Sequence, residues 1–366
     1  MRFPSIFNAF KGSRMLRFSS RSFITNDKIM KAFRIAPFMV LSKNIVSQND
    51  FPVQNNDIRS HRDEMKLMNQ HSKNVALNNR IIALGVEKNW REILNLYQSN
   101  KKEMHFSSIA TIYNQLSKIK YFDKNDQAFH RFLKETLSRI ENKGIRKVGV
   151  RYFVTILHAI AKLQLQNKTY SSRMIGELKS KENIRILFEA NNVQSVSNCV
   201  WACAMLRIQL PMLFQALESR ADWIFDCGSS QSVANCIWAC ATLGIQSPNL
   251  FRLLDTKSDW LVEIGTPQNV TNCIWACGTL GIVSPKLFRL LDTNADWLFE
   301  SGTPQNLSKC VWACAKLNIQ SPKFFRLLNA KADWVFESGT PQHVSNCVWA
   351  CAKLGIQSPN LFRLLD

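Results

Sequence analysis

The chain has 366 residues, 46% of them hydrophobic, and a formal net charge of +20 at pH 7. It contains no apolar run of about 18 residues, so we predict no membrane span. It also lacks a phosphate-binding glycine loop, a nucleophile elbow and a catalytic carboxylate pair in an irregular loop. We therefore expect a binding protein that is not an enzyme and needs no cofactor.

The positive charge is distributed unevenly along the chain. Residues 1–75 hold 13 Lys and Arg against 5 Asp and Glu, and residues 76–190 hold 21 against 10. Residues 191–366 hold 13 against 12 and are close to neutral. Electrostatic attraction to phosphate is therefore expected mainly in the N-terminal half.

The N-terminus has the composition of an organellar targeting segment. Its first 26 residues contain no acidic side chain, and five Lys and Arg are set among Phe, Ser and Met. This pattern is typical of a transit peptide. We predict a mitochondrial transit peptide over residues 1–23, with a plain basic tail as the alternative. Residues 24–75 are polar without sustained periodicity and are predicted to be a disordered linker.

Residues 76–190 are predicted to form divergent basic helical repeats. Residues 107–119 and 151–163 resemble weakened copies of a helix that becomes regular after residue 191. In this alignment His158 takes the position of Trp201. The basic segment is therefore expected to begin the same array of repeats.

Residues 191–366 form a regular repeat. One tryptophan series recurs every 37 residues, and a second series keeps the same interval. The first series is Trp201, Trp238, Trp275, Trp312 and Trp349, and the second is Trp223, Trp260, Trp297 and Trp334. A fixed period of this size is the signature of a repeat array.

Each repeat is predicted to be a helical hairpin. Thr266 and Ser284 each precede a proline, which suits an N-capping hydroxyl followed by the first helical position. Gly281 and Gly302 follow the two helices, where left-handed caps are expected. The apolar positions form one stripe on each helix: Val270, Cys273, Cys277 and Leu280 on the first, and Leu287, Leu290, Leu291 and Leu298 on the second.

Neighbouring hairpins must stack to bury these stripes. We therefore predict an all-α, right-handed α-solenoid of ~37-residue helical hairpin repeats, with an extended concave binding surface. The last repeat is incomplete, so we expect further sequence or a partner to cover that end.

Ten of the 11 cysteines form pairs four residues apart on the first helices. A helix interior does not provide the paired loop ligands of a zinc site. We interpret these cysteines as small buried side chains and predict no metal site.

The face of the first helix opposite the cysteine stripe carries the candidate binding residues. Amides there can read base edges, lysines can hold phosphates and indole rings can stack on bases. The candidate RNA-binding residues are Asn198, Asn235, Thr242, Asn272, Thr279, Lys309, Lys316, Asn346, Lys353, Trp201, Trp238, Trp275, Trp312 and Trp349. Two alternatives stay open: tryptophans wedged between repeats, and asparagines that only bond the backbone. The Arg and Asp residues of the second helices are interpreted as a solvated charged face.

The segment from Asn272 to Gly281 reads Asn-Cys-Ile-Trp-Ala-Cys-Gly-Thr-Leu-Gly, and it recurs from Asn235 and from Asn346. This motif resembles the repeats of the octotricopeptide-repeat, FAST-kinase-like and RAP-domain proteins of organelles. The resemblance implies a factor that binds RNA and acts in its processing, stability or translation. A RAP domain is not present in this sequence, so no role of that domain is carried over.

Together these features predict a protein of the mitochondrial matrix, or alternatively of a plastid, that binds single-stranded RNA on the concave face of the solenoid. Its expected partners are an organellar transcript or rRNA and other proteins of an organellar ribonucleoprotein. The alternative is a protein-binding α-solenoid scaffold. The near-neutral charge of residues 191–366 favours the scaffold, whereas the targeting segment, the basic residues 76–190 and the motif favour RNA.

Overall fold

A computed structural model describes residues 55–165 and 168–364, with side chains described for residues 70–165 and 168–364. This part of the chain is helical and contains no strand. The predicted transit peptide and residues 24–54 of the predicted linker lie outside it. The chain divides into two compact units, Met1–His61 and Arg62–Asp366, and the surfaces described below lie in the second.

The helices before the regular repeats are α1 Asn55–Val86, α2 Trp90–Asn100, α3 Phe106–Leu116, α4 Gln127–Val148, α5 Val150–Leu163, α6 Thr169–Glu177 and α7 Lys181–Glu189. Helix α4 is interrupted at Gly144, whose φ of 68° is not helical.

The helices of the regular repeats are α8 Val193–Met205, α9 Pro211–Ser219, α10 Ala221–Cys227, α11 Ser230–Leu243, α12 Pro248–Thr256, α13 Ser258–Ile264, α14 Pro267–Leu280, α15 Pro285–Thr293, α16 Ala295–Ser301, α17 Pro304–Leu317, α18 Pro322–Ala330, α19 Ala332–Ser338, α20 Pro341–Leu354 and α21 Pro359–Arg363.

Residues 55–75, which we predicted as part of a disordered linker, belong to helix α1. The segment from Asn55 to Leu84 contains neither glycine nor proline, and Gly85 comes only near the end of the helix. Without these helix breakers a polar sequence can extend a helix that packs at its far end, where Ile81 and Leu84 are buried. The lack of an apolar period therefore did not indicate disorder here.

Seven helices form a continuous row, which we call the first-helix row. Helices α3, α5, α8, α11, α14, α17 and α20 each pack against the next. Helices α3 and α5 contain the two segments aligned above as divergent copies, and they extend the row without a break. The predicted apolar stripe faces the neighbouring helices, since Val270, Cys273 and Cys277 are all buried. The predicted all-α solenoid is thus confirmed.

The second leg of each regular repeat consists of two short helices. In one repeat α15 ends at Thr293 and α16 begins at Ala295, with Asn294 between them at φ −98° and ψ 24°. The bend directs the shorter helix toward the following repeat, and α16 packs against α18. Each repeat is therefore a hairpin whose second leg is bent.

The first helices are capped as the sequence predicts. The hydroxyl of Thr266 accepts the amide of Asn269 at 3.3 Å, and Thr303 accepts the amide of Asn306 at the same distance. In both cases the asparagine side chain also accepts the backbone N–H of the threonine, which completes a capping box. The starts of these two first helices are thus fixed by their own sequence.

The second-leg helices are capped differently from our prediction, because the cap comes from the preceding repeat. Ser284 does not accept an amide; its hydroxyl donates to Asp255 Oδ1 at 2.7 Å. The same oxygen accepts the amide of Lys286 at 2.9 Å. Equivalent bonds join Glu218 to the amide of Asn249 and Asn329 to the amide of Asn360, and Asp292 accepts the amide of Phe324, one position further along its helix.

The two glycines of the repeat serve different purposes. Gly281 has a φ of 70°, the left-handed cap that the sequence predicts. Gly302 instead has a φ of −87° and ψ of −177°, so the prediction of a left-handed cap there was wrong. A Cβ at Gly302 would lie 2.4 Å from the carbonyl oxygen of Leu298. Lack of space, and not a left-handed backbone, requires glycine at this position.

The inter-repeat caps lead to a prediction for stability. Replacing Asp255 by Ala removes the acceptor for Ser284 and for the amide of Lys286, and should lower the free energy of unfolding by about 1–3 kcal/mol. Guanidinium denaturation followed by circular dichroism measures the change. Glu263→Ala is a matched control, since Glu263 is exposed and makes no hydrogen bond among the described residues. Equal destabilisation by both variants would contradict the role given to Asp255.

The cysteines lead to a second prediction. Ten of them are buried and Cys227 is exposed. Burial raises the pKa of Cys277 and Cys314 to about 12, and the thiolate is the reactive form. At pH 8 iodoacetamide should therefore modify the folded protein once, at Cys227, as read by intact-mass and peptide mass spectrometry. Rapid labelling of the paired cysteines in the folded protein would show that the first-helix row opens.

Candidate functional site

A ladder of aromatic rings runs along the first-helix row. The ring centroids of His158 and Trp201 lie 4.5 Å apart. Those of Trp201 and Trp238, Trp238 and Trp275, and Trp275 and Trp312 lie 6.3, 6.4 and 6.5 Å apart. Neighbouring planes are inclined by only 27–33°. We call these five rings the ring ladder.

The ladder follows from the period of the sequence. Equivalent positions on successive first helices fall on the same face, and the alanine after each tryptophan lets the helices approach closely. The five rings are half-buried, and Trp349 in the next repeat is 42% exposed. The tryptophans therefore pack between repeats, as the alternative to RNA binding predicted. They also keep an accessible side, as base stacking requires.

A row of polar side chains lies three residues before each ring. Asn198, Asn235, Asn272, Lys309 and Asn346 occupy it, and all are half-buried. Lys309 Nζ donates to Asn272 Oδ1 at 2.8 Å, and Gln342 Nε2 donates to Asn346 Oδ1 at 3.1 Å. The alternative that these asparagines bond only the backbone finds no support, because within the described residues their side chains make no bond to a backbone group.

A second row lies four residues after each ring. The hydroxyl of Thr279 donates to the carbonyl of Trp275 at 2.9 Å, so its proton is already engaged. The hydroxyl of Thr242 is buried without a hydrogen-bond partner. Lys316 and Lys353 are exposed, and Lys316 Nζ lies 5.7 Å from the ring centroid of Trp312. Of the predicted residues in this row, the two lysines are the ones best placed to meet an anion.

We call the ring ladder with its two flanking rows the ladder surface. It brings together the predicted site residues of the first helices except Trp349, whose side chain makes no ring contact with the ladder within the described residues, and it also includes residues that we did not predict. His158 is the first ring, and burial, followed by the charge of Lys162, lowers its pKa. Lys162 and Lys118 occupy the positions that Lys316 and Lys353 occupy later in the array. The alignment of His158 with Trp201 in the sequence could have identified these three residues.

The ladder surface carries no carboxylate. None of the seven helices of the first-helix row contains Asp or Glu. Arg151, Lys162, Lys309, Lys316 and Lys353 lie on these helices. Every acidic residue between 191 and 364 lies on the second legs. The near-neutral charge of this part of the chain is therefore an average over two faces of different sign.

The second legs neutralise much of their own charge. Lys257 pairs with Asp226, Lys286 with Asp259 and Lys323 with Asp296, each pair joining adjacent repeats. The aspartates that we assigned to a solvated face thus include two, Asp259 and Asp296, that bridge repeats. The arginines of that assignment, Arg252, Arg289, Arg326 and Arg363, are exposed.

Burial gives the two kinds of site lysine different properties. Lys309 is half-buried and its pKa is lowered by desolvation, which the adjacent Cys310 only partly opposes. Lys316 and Lys353 are exposed. Lys309 is therefore placed for a short, directional contact, whereas the exposed lysines can follow a mobile phosphate chain.

Among the described residues, no group of three or more His, Cys, Asp or Glu side chains is arranged to hold a metal ion. The ladder surface instead offers amide, ammonium and aromatic groups. These groups can bind a ligand that combines flat rings with negative charge.

Comparison with known protein families gives a match over most of the chain. No curated protein matches the chain. The matching family differs from the octotricopeptide-repeat, FAST-kinase-like and RAP-domain proteins that the motif resembles, so membership of those groups stays a prediction. The family model covers residues 71–364, which include the whole ladder surface. The chain belongs to the family described as RNA-editing substrate-binding complex 6 protein.

Proposed function

We propose that this protein binds single-stranded RNA along the ladder surface and acts in organellar RNA processing, stability or translation. One observation carries the proposal: the first-helix row combines a continuous series of neighbouring, nearly parallel rings with basic side chains and no carboxylate. RNA-binding surfaces need aromatic platforms for bases and cations for phosphates. The second legs, with their paired charges, lack this combination.

The dimensions of the ladder support this function. Successive tryptophan rings lie 6.3–6.5 Å apart, about twice the 3.4 Å rise between stacked nucleotides of one strand. A strand that follows the ladder must therefore be unstacked and extended, with its bases available to the rings. Helical-repeat proteins that read one base per repeat bind RNA in this way.

The family description supports an RNA-related role within an assembly, since it names an RNA-editing substrate-binding complex. We propose that RNA and other proteins of an organellar ribonucleoprotein are the partners, and that the protein works in the mitochondrial matrix. No helix within the described residues is long and apolar enough to cross a membrane. The concave face of the solenoid is the proposed location of the ladder surface.

A protein-binding scaffold is the second candidate function. It is favoured by the word complex in the family description and by the exposed arginine on α12, α15, α18 and α21. The two functions are compatible if RNA occupies the ladder surface and a protein partner occupies the second legs. The variants below separate them, because they alter one face at a time.

The first test changes charge on each face separately. Replacing Lys316 and Lys353 by Glu should weaken binding of a fluorescent single-stranded RNA by at least about tenfold, and should lower the slope of log affinity against log salt by about 2. Fluorescence anisotropy at several salt concentrations measures both effects. Replacing Arg289 and Arg326 by Glu makes the same charge change on the second legs and should alter affinity far less.

Two results of this test would contradict the proposal. If the arginine variant loses affinity as strongly as the lysine variant, binding follows net charge and not the ladder surface. If the unaltered protein binds no RNA but purifies with a stoichiometric protein partner, the scaffold function is favoured.

The second test removes one ring. Trp238→Leu should reduce RNA affinity by roughly 5–150-fold, because loss of base stacking costs about 1–3 kcal/mol, whereas Trp238→Phe should retain most of the affinity. Trp260→Leu makes the same change on a second leg and should leave RNA affinity unchanged. Thermal melting of all three variants shows whether folding is affected. Equal RNA affinity of the Leu and Phe variants at position 238 would argue against stacking on the ladder.

A further inference from the structure

Lys309 departs from the pattern of the polar row that precedes the rings. Asn198, Asn235, Asn272 and Asn346 occupy this position in the other regular repeats. Lys309 reaches across to the preceding repeat, where its Nζ donates to Asn272 Oδ1 at 2.8 Å. Asn272 is three residues before Trp275 and Lys309 three residues before Trp312, and these rings lie 6.5 Å apart. The Lys309–Asn272 pair therefore sits beside two consecutive rings.

The lysine fixes the orientation of the Asn272 amide. An ammonium group has only donors, so the oxygen of the amide must face Lys309 and the Nδ2 group must point away. Asn198 and Asn235 make no side-chain hydrogen bond within the described residues, so their amides can rotate and offer a donor and an acceptor. Asn346 accepts from Gln342, whose own amide oxygen is still available as an acceptor. Within the described polar row that precedes the rings, the Lys309–Asn272 pair is thus the position that offers donors alone.

A donor-only pair distinguishes the two purines. Adenine is held by a free Asn through one donor and one acceptor, at N7 and N6. Guanine presents two acceptors, O6 and N7, and is held by donors such as those of Lys or Arg. Once Asn272 Oδ1 is occupied, it cannot accept the N6 amino group of adenine, whereas Nδ2 and the remaining protons of Nζ match O6 and N7 of guanine.

We propose that Lys309 and Asn272 form a guanine-selective position within the RNA-binding ladder, while Asn198 and Asn235 accept adenine. This inference rests on the proposed RNA-binding function and specifies its substrate. It also explains how repeats of nearly identical sequence can differ in selectivity, because the difference lies in one lysine that acts on the repeat before its own.

The test uses short oligoadenosines in which one guanosine is moved along the strand. With the unaltered protein, guanosine at one or a few positions should tighten binding by about tenfold, the discrimination expected of a bidentate base contact. Inosine, which keeps O6 and N7, should reproduce the effect, and 2-aminopurine, which lacks O6, should not. The bases of inosine and 2-aminopurine stack similarly, so a difference between them reports the hydrogen-bonded edge of the base.

Two variants assign the effect to the pair. Lys309→Asn introduces the side chain found in the other repeats and should abolish the preference for guanosine while RNA is still bound. Asn235→Lys should place a lysine opposite Asn198 and create a second guanosine-preferring position. Lys316→Asn removes another ladder lysine and should weaken adenosine and guanosine strands equally.

The outcomes separate this inference from the function on which it rests. If no oligonucleotide binds, the proposed RNA-binding function fails. If RNA binds but the guanosine preference is absent, or persists in Lys309→Asn, the function stands and the selectivity inference is overturned. If Lys309→Asn lowers the melting temperature and weakens adenosine and guanosine strands equally, the pair is a packing contact and the inference is likewise overturned.

Discussion

The close packing of each first helix on the next determines most of what this protein can do. Small side chains make it possible: the buried cysteines and alanines of one helix leave room for the backbone of its neighbour. The contact is close at Gly278, where a Cβ would lie 2.8 Å from both Cα and Cβ of Ala313. Because the first helices of successive repeats pack through small side chains at equivalent positions, the tryptophan rings from Trp201 to Trp312 are brought to a nearly constant separation of 6.3–6.5 Å.

Charge is sorted by the same architecture. Carboxylates are needed on the second legs, where Asp255 and Asp292 cap helices of the following repeat and Asp259 and Asp296 pair with its lysines. The first helices α14 and α17 are capped by threonine hydroxyls, α8 by Asn192 and α11 by Ser229, so none of these caps uses an acidic side chain. Structural demands therefore keep negative charge away from the ladder surface, which leaves that surface free to attract an anionic polymer.

The sequence predicts the period, the first helices and the aromatic series, because each depends on spacing within one repeat. It does not predict the bend at Asn294 or the cap from Asp255 to Lys286, because these depend on contacts between repeats. The helix that begins at Asn55 was missed because periodicity was taken as necessary for order. For the site, the net charge of residues 191–366 is close to zero and concealed the separation of charge, because the acidic residues lie on the second legs and none lies on the helices of the first-helix row. The bond from Lys309 to Asn272 joins residues 37 positions apart and becomes visible only when the repeats are stacked.

The caps between repeats give the array a direction. The helix that begins at Pro285 depends on an acceptor from the repeat before it, Asp255, whereas its own repeat supplies Asp292 to the helix that begins at Pro322. The cap of each repeat can therefore form only when the preceding repeat is in place, and the order of assembly can run from the N-terminal repeats to the C-terminal ones. Each folded repeat supplies the acceptor that caps a helix of the next repeat. The chain is therefore suited to folding in order from its N-terminal side.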